Sequence, residues 1–142
     1  MRNKLFIDSD VVIDFFTDRK PFASPASELF ELNEQGEVQL HLSAVSINNI
    51  YYIVRKYLGH KKTLEVIGEL VEITEIIGST KKEITQALRN DFKDYEDSIQ
   101  YSTAMTIKGI EAIITRNVKD YSRSGIAVFT PENYLKTRES ES

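Results

Sequence analysis

The sequence lacks cysteine and tryptophan entirely and has only two histidines among its 142 residues. Without cysteine the chain has no disulfide framework, no thiolate nucleophile and no Cys-ligated zinc or iron–sulfur site. Positive charge is also scarce, because 18 Lys and Arg stand against 22 Asp and Glu and give a formal net charge of −4. An acidic chain with a pI near 5.3 does not hold nucleic acid by bulk positive charge.

Long apolar runs are missing as well. The N-terminus is basic, but the apolar run after it, Leu5-Phe6-Ile7, stops at Asp8 and is too short for a signal-peptide core. The longest uncharged segment lies between His41 and Arg55 and contains Ser and Asn, whereas a spanning helix needs roughly 20 mostly apolar residues. We therefore expect a soluble, cytoplasmic protein that has no membrane partner.

The composition, 41% hydrophobic and 28% charged, is that of an ordinary globular domain. Short apolar runs alternate with segments of three- and four-residue apolar spacing, which predicts strands alternating with helices. This alternation predicts a single α/β domain over residues 1–135, with a mostly parallel sheet covered on both faces, and a frayed polar tail at 136–142. The predicted strands include 4–7, 38–42, 71–77, 112–115 and 126–129, and the predicted helices include 43–58, ended by Gly59, then 60–70 and 93–108.

Acidic and amide side chains gather where predicted strands end or predicted helices begin. Asp8 directly follows the first strand, and active sites of open parallel sheets collect just beyond such strand ends. Asp10 and Asp14 are four residues apart and are expected to share one face of the next helix. The remaining members are Asp94 and Asp97, an i, i+3 pair on another predicted helix, and Asn117 and Asp120, which follow the strand ending at Thr115.

Taken singly, each of these acids is most simply a helix cap or a solvated surface charge. Three separate segments that place acids or amides at strand ends and helix starts are harder to explain in that way. Clustered carboxylates repel one another, raise each other's pKa and are tolerated best around a divalent cation. Because the chain has no Cys and little His, hard oxygen ligands favour Mg²⁺ or Mn²⁺ over Zn²⁺.

Four segments, in order along the chain, resemble the motifs of the PIN-domain family, which includes the VapC-type toxins of toxin–antitoxin systems. They are 6–14, where a strand leads to an Asp, a small hydroxyl residue and a helix, then 43–51, 94–100 and 113–121. Their order and spacing match over nearly the whole chain, from Leu5 to about Pro131. The resemblance implies a three-layer α/β/α fold and an endoribonuclease that hydrolyses RNA phosphodiester bonds with Mg²⁺ or Mn²⁺.

Carried over residue by residue, the resemblance makes Asp8, Asp94 and Asp97 the catalytic residues and the metal ligands. Two positions depart from the family pattern, since Asn49 stands where the second motif usually has Glu and Asn117 where the fourth has an acid. An amide oxygen can ligate Mg²⁺ but brings no charge. Supporting roles fall to Ser9, Asp10, Asn49, Thr115, Asn117 and Asp120.

The resemblance also implies partners. RNA would have to be held by local cations that flank the motifs, and Arg55, Arg116 and Lys119 are the candidates. A toxin of this family would have an antitoxin protein, whose helix is expected to dock into an apolar groove near the site. Family members often form homodimers, so a homodimer is expected here.

Two other functions fit parts of the sequence. The segment Asp8-Ser9-Asp10-Val11 also resembles the start of haloacid-dehalogenase-like phosphatases, with Asp8 as the nucleophile and Asp10 as the acid/base. That family expects its last acid pair directly after a strand, where this chain has Asn117. Alternatively, amides in place of acids at Asn49 and Asn117 are consistent with a catalytically degenerate PIN domain that binds RNA or a protein without cleaving.

Overall fold

The computed structural model describes residues 2–141 and centres on a five-stranded sheet in which every strand pair is parallel. The order across the sheet is β3-β2-β1-β4-β5. The strands β2 and β3 are added on one side of β1 and the strands β4 and β5 on the other, so the switch point of the topology lies between β1 and β4. Ile7 at the end of β1 lies opposite Ile114 at the end of β4, which sets the carboxyl ends of these two strands side by side. The strands are β1 Asn3–Ile7, β2 Val38–Ser43, β3 Glu75–Ile77, β4 Ile110–Ile114 and β5 Ala127–Phe129.

Six helices connect and cover these strands. The longest is interrupted at Gly59, whose φ of 78° is a conformation that residues with a side chain rarely adopt, and this confirms the predicted end of a helix there. No helix within residues 2–141 is both long and apolar enough to cross a membrane. The helices are α1 Ser9–Phe16, α2 Ala23–Glu34, α3 Ala44–Ile73, α4 Lys81–Arg89, α5 Tyr95–Ala104 and α6 Pro131–Glu141, and Val118–Tyr121 form a short 3-10 helix.

Alternation along β1 divides the core into two layers. Leu5 and Ile7 point to one face of the sheet, where they pack with side chains of α1, α2, α3 and α6. Phe6 points to the other face and packs with Ala104 of α5 and with Tyr121. Since both faces are covered, β1 is apolar throughout its buried part, as expected for a central parallel strand. The predicted α/β/α architecture with a parallel sheet is confirmed.

The predicted strand at 71–77 is mostly helix. Helix α3 continues to Ile73, and only Glu75–Ile77 pair with β2. The β-branched run favours a strand locally, but Leu70 is fully buried in the core from a helical position. Thr74 closes the helix, because both its backbone N–H and its hydroxyl donate to the carbonyl of Leu70. Tertiary packing therefore overrides the local β-propensity.

The predicted helix at 93–108 is shorter at both ends. Helix α5 begins at Tyr95 and ends at Ala104, and Asp94 is its N-cap rather than a helical residue. The Asp94 side chain accepts a hydrogen bond from the backbone N–H of Asp97 over 2.9 Å, which satisfies one of the free donors of the first turn.

The predicted frayed tail is helical as far as the structure describes it. Helix α6 extends to Glu141 and is anchored by the buried ring of Tyr134. An ion pair of 3.2 Å between Arg138 and Glu37 further ties its last turns to the domain. Met1, the first residue of the predicted domain, and Ser142, the last of the predicted tail, lie outside the described residues.

Candidate active site

Asp8 lies at the carboxyl end of β1 and caps the N-terminus of α1. Its Oδ1 accepts a hydrogen bond from the backbone N–H of Ser9 at 2.8 Å, and its Oδ2 accepts from Thr115 Oγ1 at 3.0 Å and from Tyr121 Oη at 3.2 Å. The residue is only 7% exposed. Burial raises the pKa of Asp8 more strongly than these hydrogen bonds lower it. Three donors from three segments therefore fix the carboxylate in one orientation.

Tyr121 is a site residue that sequence reasoning missed. Its ring is buried among Phe6, Ala104 and Ile113 on the α5 side of the sheet, while its hydroxyl reaches Asp8. Burial beside carboxylates raises the pKa of Tyr121, so the phenol stays protonated and donates. The available signal was its place at the end of the 113–121 segment, but an aromatic residue there is indistinguishable from an ordinary core residue.

Further carboxylates gather near Asp8. Burial raises the pKa of Asp97 to about 7, and the negative charges of Asp8, Asp94, Asp120 and Glu96 add to the effect. The pKa of Glu96 is raised as well, by burial and by Asp94 and Asp8. Because such charge–charge effects weaken with distance, the acids at the end of β1, at the start of α5 and on the 3-10 helix lie near enough for their charges to act on Asp8 or Asp97. We call Asp8, Asp94, Asp97 and Asp120 the acidic cluster.

Members of the acidic cluster are not paired with basic side chains in the described part of the chain. Within residues 2–141 none of its four members forms an ion pair with Lys, Arg or His. As the side chains stand, no three Asp, Glu or His residues of the described chain are grouped tightly enough to hold a metal ion, and this includes the predicted set of Asp8, Asp94 and Asp97. The donor chemistry nevertheless fits, since carboxylate oxygens with unneutralised charge are what Mg²⁺ and Mn²⁺ prefer.

Asp10 adjoins Asp8, because the Thr115 hydroxyl lies within 3.4 Å of Asp10 Oδ2 as well as 3.0 Å from Asp8 Oδ2, and both Asp10 and Asp14 bind the segment after β4. Asp10 Oδ2 accepts hydrogen bonds from the backbone N–H of Arg116 at 3.1 Å and from Asn117 Nδ2 at 3.2 Å. Burial, followed by the charge of Asp8, raises the pKa of Asp10 to about 7. Arg116 contacts both acids, which confirms that Asp10 and Asp14 share a helix face.

The side chain of Arg116 is largely occupied within the protein. Its Nε lies 2.7 Å from Asp14 Oδ2, in an ion pair whose side chains are 24% and 2% exposed. Its guanidinium carbon stands 4.5 Å from the centre of the Phe22 ring. Burial still raises the pKa of Asp14, although Arg116 lowers it. Arg116, predicted as an RNA contact, thus neutralises a buried acid.

The two amides that depart from the family pattern both have polar partners. Asn49 Nδ2 donates to Ser9 Oγ over 3.2 Å, which connects α3 to the start of α1. Asn117 donates to Asp10, whereas Asp120 raises the pKa of both Asp8 and Asp97. In this segment Asp120, unlike Asn117, therefore adds negative charge that acts on the acidic cluster.

The other two predicted RNA contacts are exposed. Arg55 on α3 lies 5.6 Å from the ring of Tyr51 and 5.3 Å from the ring of Tyr52. Lys119 stands on the 3-10 helix next to Asp120. Neither forms an ion pair within residues 2–141.

Comparison with known proteins decides the family. The model of the PIN domain matches residues 4–119. The chain belongs to the PIN-domain family. A curated relative of this PIN domain, Ribonuclease VapC1 of Aquifex aeolicus, is 31% identical over 138 residues, which is 94% of each chain. Membership of this family leaves the haloacid-dehalogenase-like phosphatase interpretation without support.

Solved structures agree on the fold of this PIN domain. A toxin–antitoxin complex from Klebsiella pneumoniae is 25% identical, with a TM-score of 0.66 over 89% of this chain and 97% of that chain. The DNA-bound VapBC of Salmonella typhimurium is 18% identical, with a TM-score of 0.68 over 91% and 98%. The sarcin–ricin-loop-cleaving toxin VapC20 of Mycobacterium tuberculosis is 14% identical, with a TM-score of 0.66 over 87% and 96%. The last two likenesses concern the fold alone.

Proposed function

We propose that this PIN domain is a divalent-metal-dependent endoribonuclease and the toxin of a toxin–antitoxin pair. The observation that carries the proposal is the acidic cluster, in which the charges of Asp8, Asp94 and Asp120 act on Asp97 and no member forms an ion pair within residues 2–141. The likeness to Ribonuclease VapC1 supports RNA as the substrate, and the likeness to the Klebsiella complex supports an antitoxin partner. A cytoplasmic location and a homodimer are parts of the same proposal.

Asp8 and Asp97 would hold Mg²⁺ or Mn²⁺, with Asp94 and Asp120 completing the carboxylate set by side-chain rotation. When bound, such an ion makes water nucleophilic at neutral pH and stabilises the charge on the leaving oxygen of the phosphodiester. The chain's own contribution is orientation. Ser9, Thr115 and Tyr121 hold Asp8 in place, and one carboxylate of the cluster would accept the proton of the attacking water.

RNA would reach the acidic cluster across exposed cations rather than across a generally basic surface. Lys119 borders the cluster directly. Arg55 lies over the rings of Tyr51 and Tyr52 and forms with them a basic aromatic surface on α3 of the kind on which unpaired bases stack. Because the net charge is −4, binding is restricted to RNA that fits these local contacts.

The test is cleavage of a panel of structured RNAs in Mg²⁺ or Mn²⁺, with the purified chain and with Asp8→Asn and Asp97→Asn. We expect each substitution, and separately EDTA, to reduce the cleavage rate by at least about 100-fold, since each removes charge from the ion's ligands. The matched control is Asp91→Asn, a carboxylate that is 84% exposed and paired with Arg123, which should cleave normally. Cleavage that persists in EDTA or in both variants would refute the proposal.

A PIN domain that binds RNA or a protein without cleaving is the second candidate. The amides at Asn49 and Asn117, both hydrogen-bonded within the domain, are the observation in its favour. It predicts RNA binding of equal affinity with Mg²⁺ and with EDTA, and no cleavage under any condition in which the RNA is bound.

A further inference from the structure

A cavity lies beside the acidic cluster, between the α1–α2 connection, the segment after β4 and the start of α6. Its volume is about 260 Å³. It shares a wall with the site, because Arg116 and Asn117 follow directly on Thr115, whose hydroxyl donates to Asp8. The cavity is lined by Pro21, Phe22, Pro25, Arg116, Asn117, Thr130, Pro131 and Glu132, and we call this space the proline-lined cavity.

The walls of the proline-lined cavity combine flat apolar surface with charged groups of both signs, Arg116 and Glu132. Three proline rings and the Phe22 ring supply rigid apolar surface. Two guanidinium groups stand over the same phenylalanine, that of Arg116 at 4.5 Å and that of Arg19 at 5.8 Å from the ring centre. An aromatic ring flanked by arginine is a stacking surface suited to a nucleobase and its neighbouring phosphates.

One polar group of the cavity wall is available for recognition. Asn117 Nδ2 is engaged by Asp10, whereas Asn117 Oδ1 accepts no hydrogen bond from residues 2–141. An acceptor held in this way by its own amide can read a donor on the edge of a base. The volume is below the ~300–1,000 Å³ typical of pockets for drug-sized ligands, so a single flat ring fits better than a whole cofactor.

We propose that the proline-lined cavity is a subsite for one unpaired nucleobase of the RNA substrate, stacked on the Phe22–Arg116 pair and contacted by Asn117. The inference rests on the proposed ribonuclease function and deepens it, because it makes cleavage depend on the base that lies next to the scissile phosphate. Arg19, whose guanidinium also lies over the Phe22 ring and forms no ion pair within residues 2–141, supplies positive charge that matches the phosphates flanking such a base, whereas the charge of Arg116 is balanced by Asp14.

The test is NMR titration of the metal-free protein with the four nucleoside 5′-monophosphates and, separately, with ribose 5-phosphate. We expect saturable shifts in the resonances of Phe22, Asn117 and Thr130 with at least one nucleotide, and none there with ribose 5-phosphate. Phe22→Leu should weaken that binding about five-fold or more, since base–aromatic stacking is lost. The matched control is Phe15→Leu, which removes a ring that stacks on Phe30 in the same helix pair but does not line this cavity.

Several results would overturn the subsite. They are equal shifts with ribose 5-phosphate, saturable shifts only at residues elsewhere, or unchanged affinity in Phe22→Leu. Shifts at Phe22 and Asn117 that a partner protein produces and no nucleotide produces would assign the cavity to a peptide side chain instead. If Phe22→Leu fails to fold, the comparison of the nucleotides with ribose 5-phosphate on the wild-type protein still tests the subsite. Because no metal or cleavage is involved, a negative result here and a negative cleavage assay are independent findings.

Discussion

The hydroxyl of Tyr121 donates a hydrogen bond to Asp8 Oδ2 at 3.2 Å, across 113 residues of sequence. The Tyr121 ring is 1% exposed and packs in the core on the α5 side of the sheet, so the position of its hydroxyl is set by packing. Thr115 donates to the same oxygen from the end of β4. The orientation of Asp8 is therefore built into the fold before any ion or substrate binds.

Removing this hydroxyl with Tyr121→Phe should change the pH dependence of cleavage. The hydrogen bond lowers the pKa of Asp8, so its loss raises that pKa and moves the acid limb of the pH–rate profile to higher pH. At neutral pH we expect a loss of about tenfold in kcat/KM, consistent with ~1.5–3 kcal/mol for a hydrogen bond to a charged group. Tyr134→Phe, at another buried tyrosine whose hydroxyl contacts Asn3, is the control. An unshifted acid limb in Tyr121→Phe would contradict the assignment.

Asp97 should destabilise the metal-free protein as the pH rises. Its pKa is about 7 in the folded state and near the ordinary ~3.9 when unfolded. The folded state therefore binds the proton more tightly, and the free energy of unfolding falls as the pH rises from about 4 to about 7. Asp97→Asn removes this loss, so its melting temperature should exceed that of the wild type by a few degrees above pH 7, about 1 kcal/mol after solvent screening. Thermal melts in EDTA from pH 5 to 8 measure it, and a difference that shrinks with rising pH contradicts it.

Asp120, rather than Asn117, should contribute to metal affinity. Of these two residues, Asp120 is the one that raises the pKa of Asp8 and of Asp97. Asp120→Asn therefore removes charge that an ion would meet. We expect Mn²⁺ affinity to fall about tenfold in Asp120→Asn and to stay within about twofold in Asn117→Ala. Calorimetric titration of Mn²⁺ into both variants provides the comparison. The reverse order of effects would assign the fourth position to the amide.

Removing one partner of the ion pair between Arg116 and Asp14 should destabilise the protein strongly. Arg116→Met leaves a carboxylate that is 2% exposed without its cation, which typically costs about 3–5 kcal/mol. Combining it with Asp14→Leu should recover most of that loss, because no charge is then left unpaired. Urea unfolding of the variants gives these values. Arg123→Met, which breaks a pair with side chains 67% and 84% exposed, should cost under about 1 kcal/mol. Similar losses in the free energy of unfolding for Arg116→Met and Arg123→Met would contradict the prediction that breaking the buried pair costs more than breaking the exposed one.

The sequence predicted correctly those ends of strands and helices that depend on neighbouring residues. The apolar run that ends at Asp8 and the glycine at position 59 predict their strand end and helix end from neighbouring residues alone. The alternation of strands and helices predicted a parallel sheet covered on both faces, and the resemblance to the family implied the α/β/α layers. The end of α3, the bounds of α5 and the helical C-terminal segment differ from the prediction, and at α3 burial of Leu70 outweighs the β-branched residues after it.

The pairings within the site are not local, and sequence could not supply them. An arginine inside a motif indicates positive charge but not its partner, and Arg116 pairs with Asp14 from the other end of the chain. Tyr121 looks like a core aromatic and is one, yet its hydroxyl serves Asp8. Asp94 proved to be a helix cap because capping depends on where α5 begins, which periodicity locates only to within a turn.

The most direct test of the central claim counts the Mn²⁺ ions that bind to the acidic cluster. Electron paramagnetic resonance of Mn²⁺ titrated at pH 8 into the wild type and Asp97→Asn, with Asp91→Asn as the control, separates free from bound ion. The account predicts at least one Mn²⁺ bound per wild-type chain and per Asp91→Asn chain, and binding at least about tenfold weaker in Asp97→Asn. Equal binding by the wild type and Asp97→Asn, or no binding by the wild type, would contradict it.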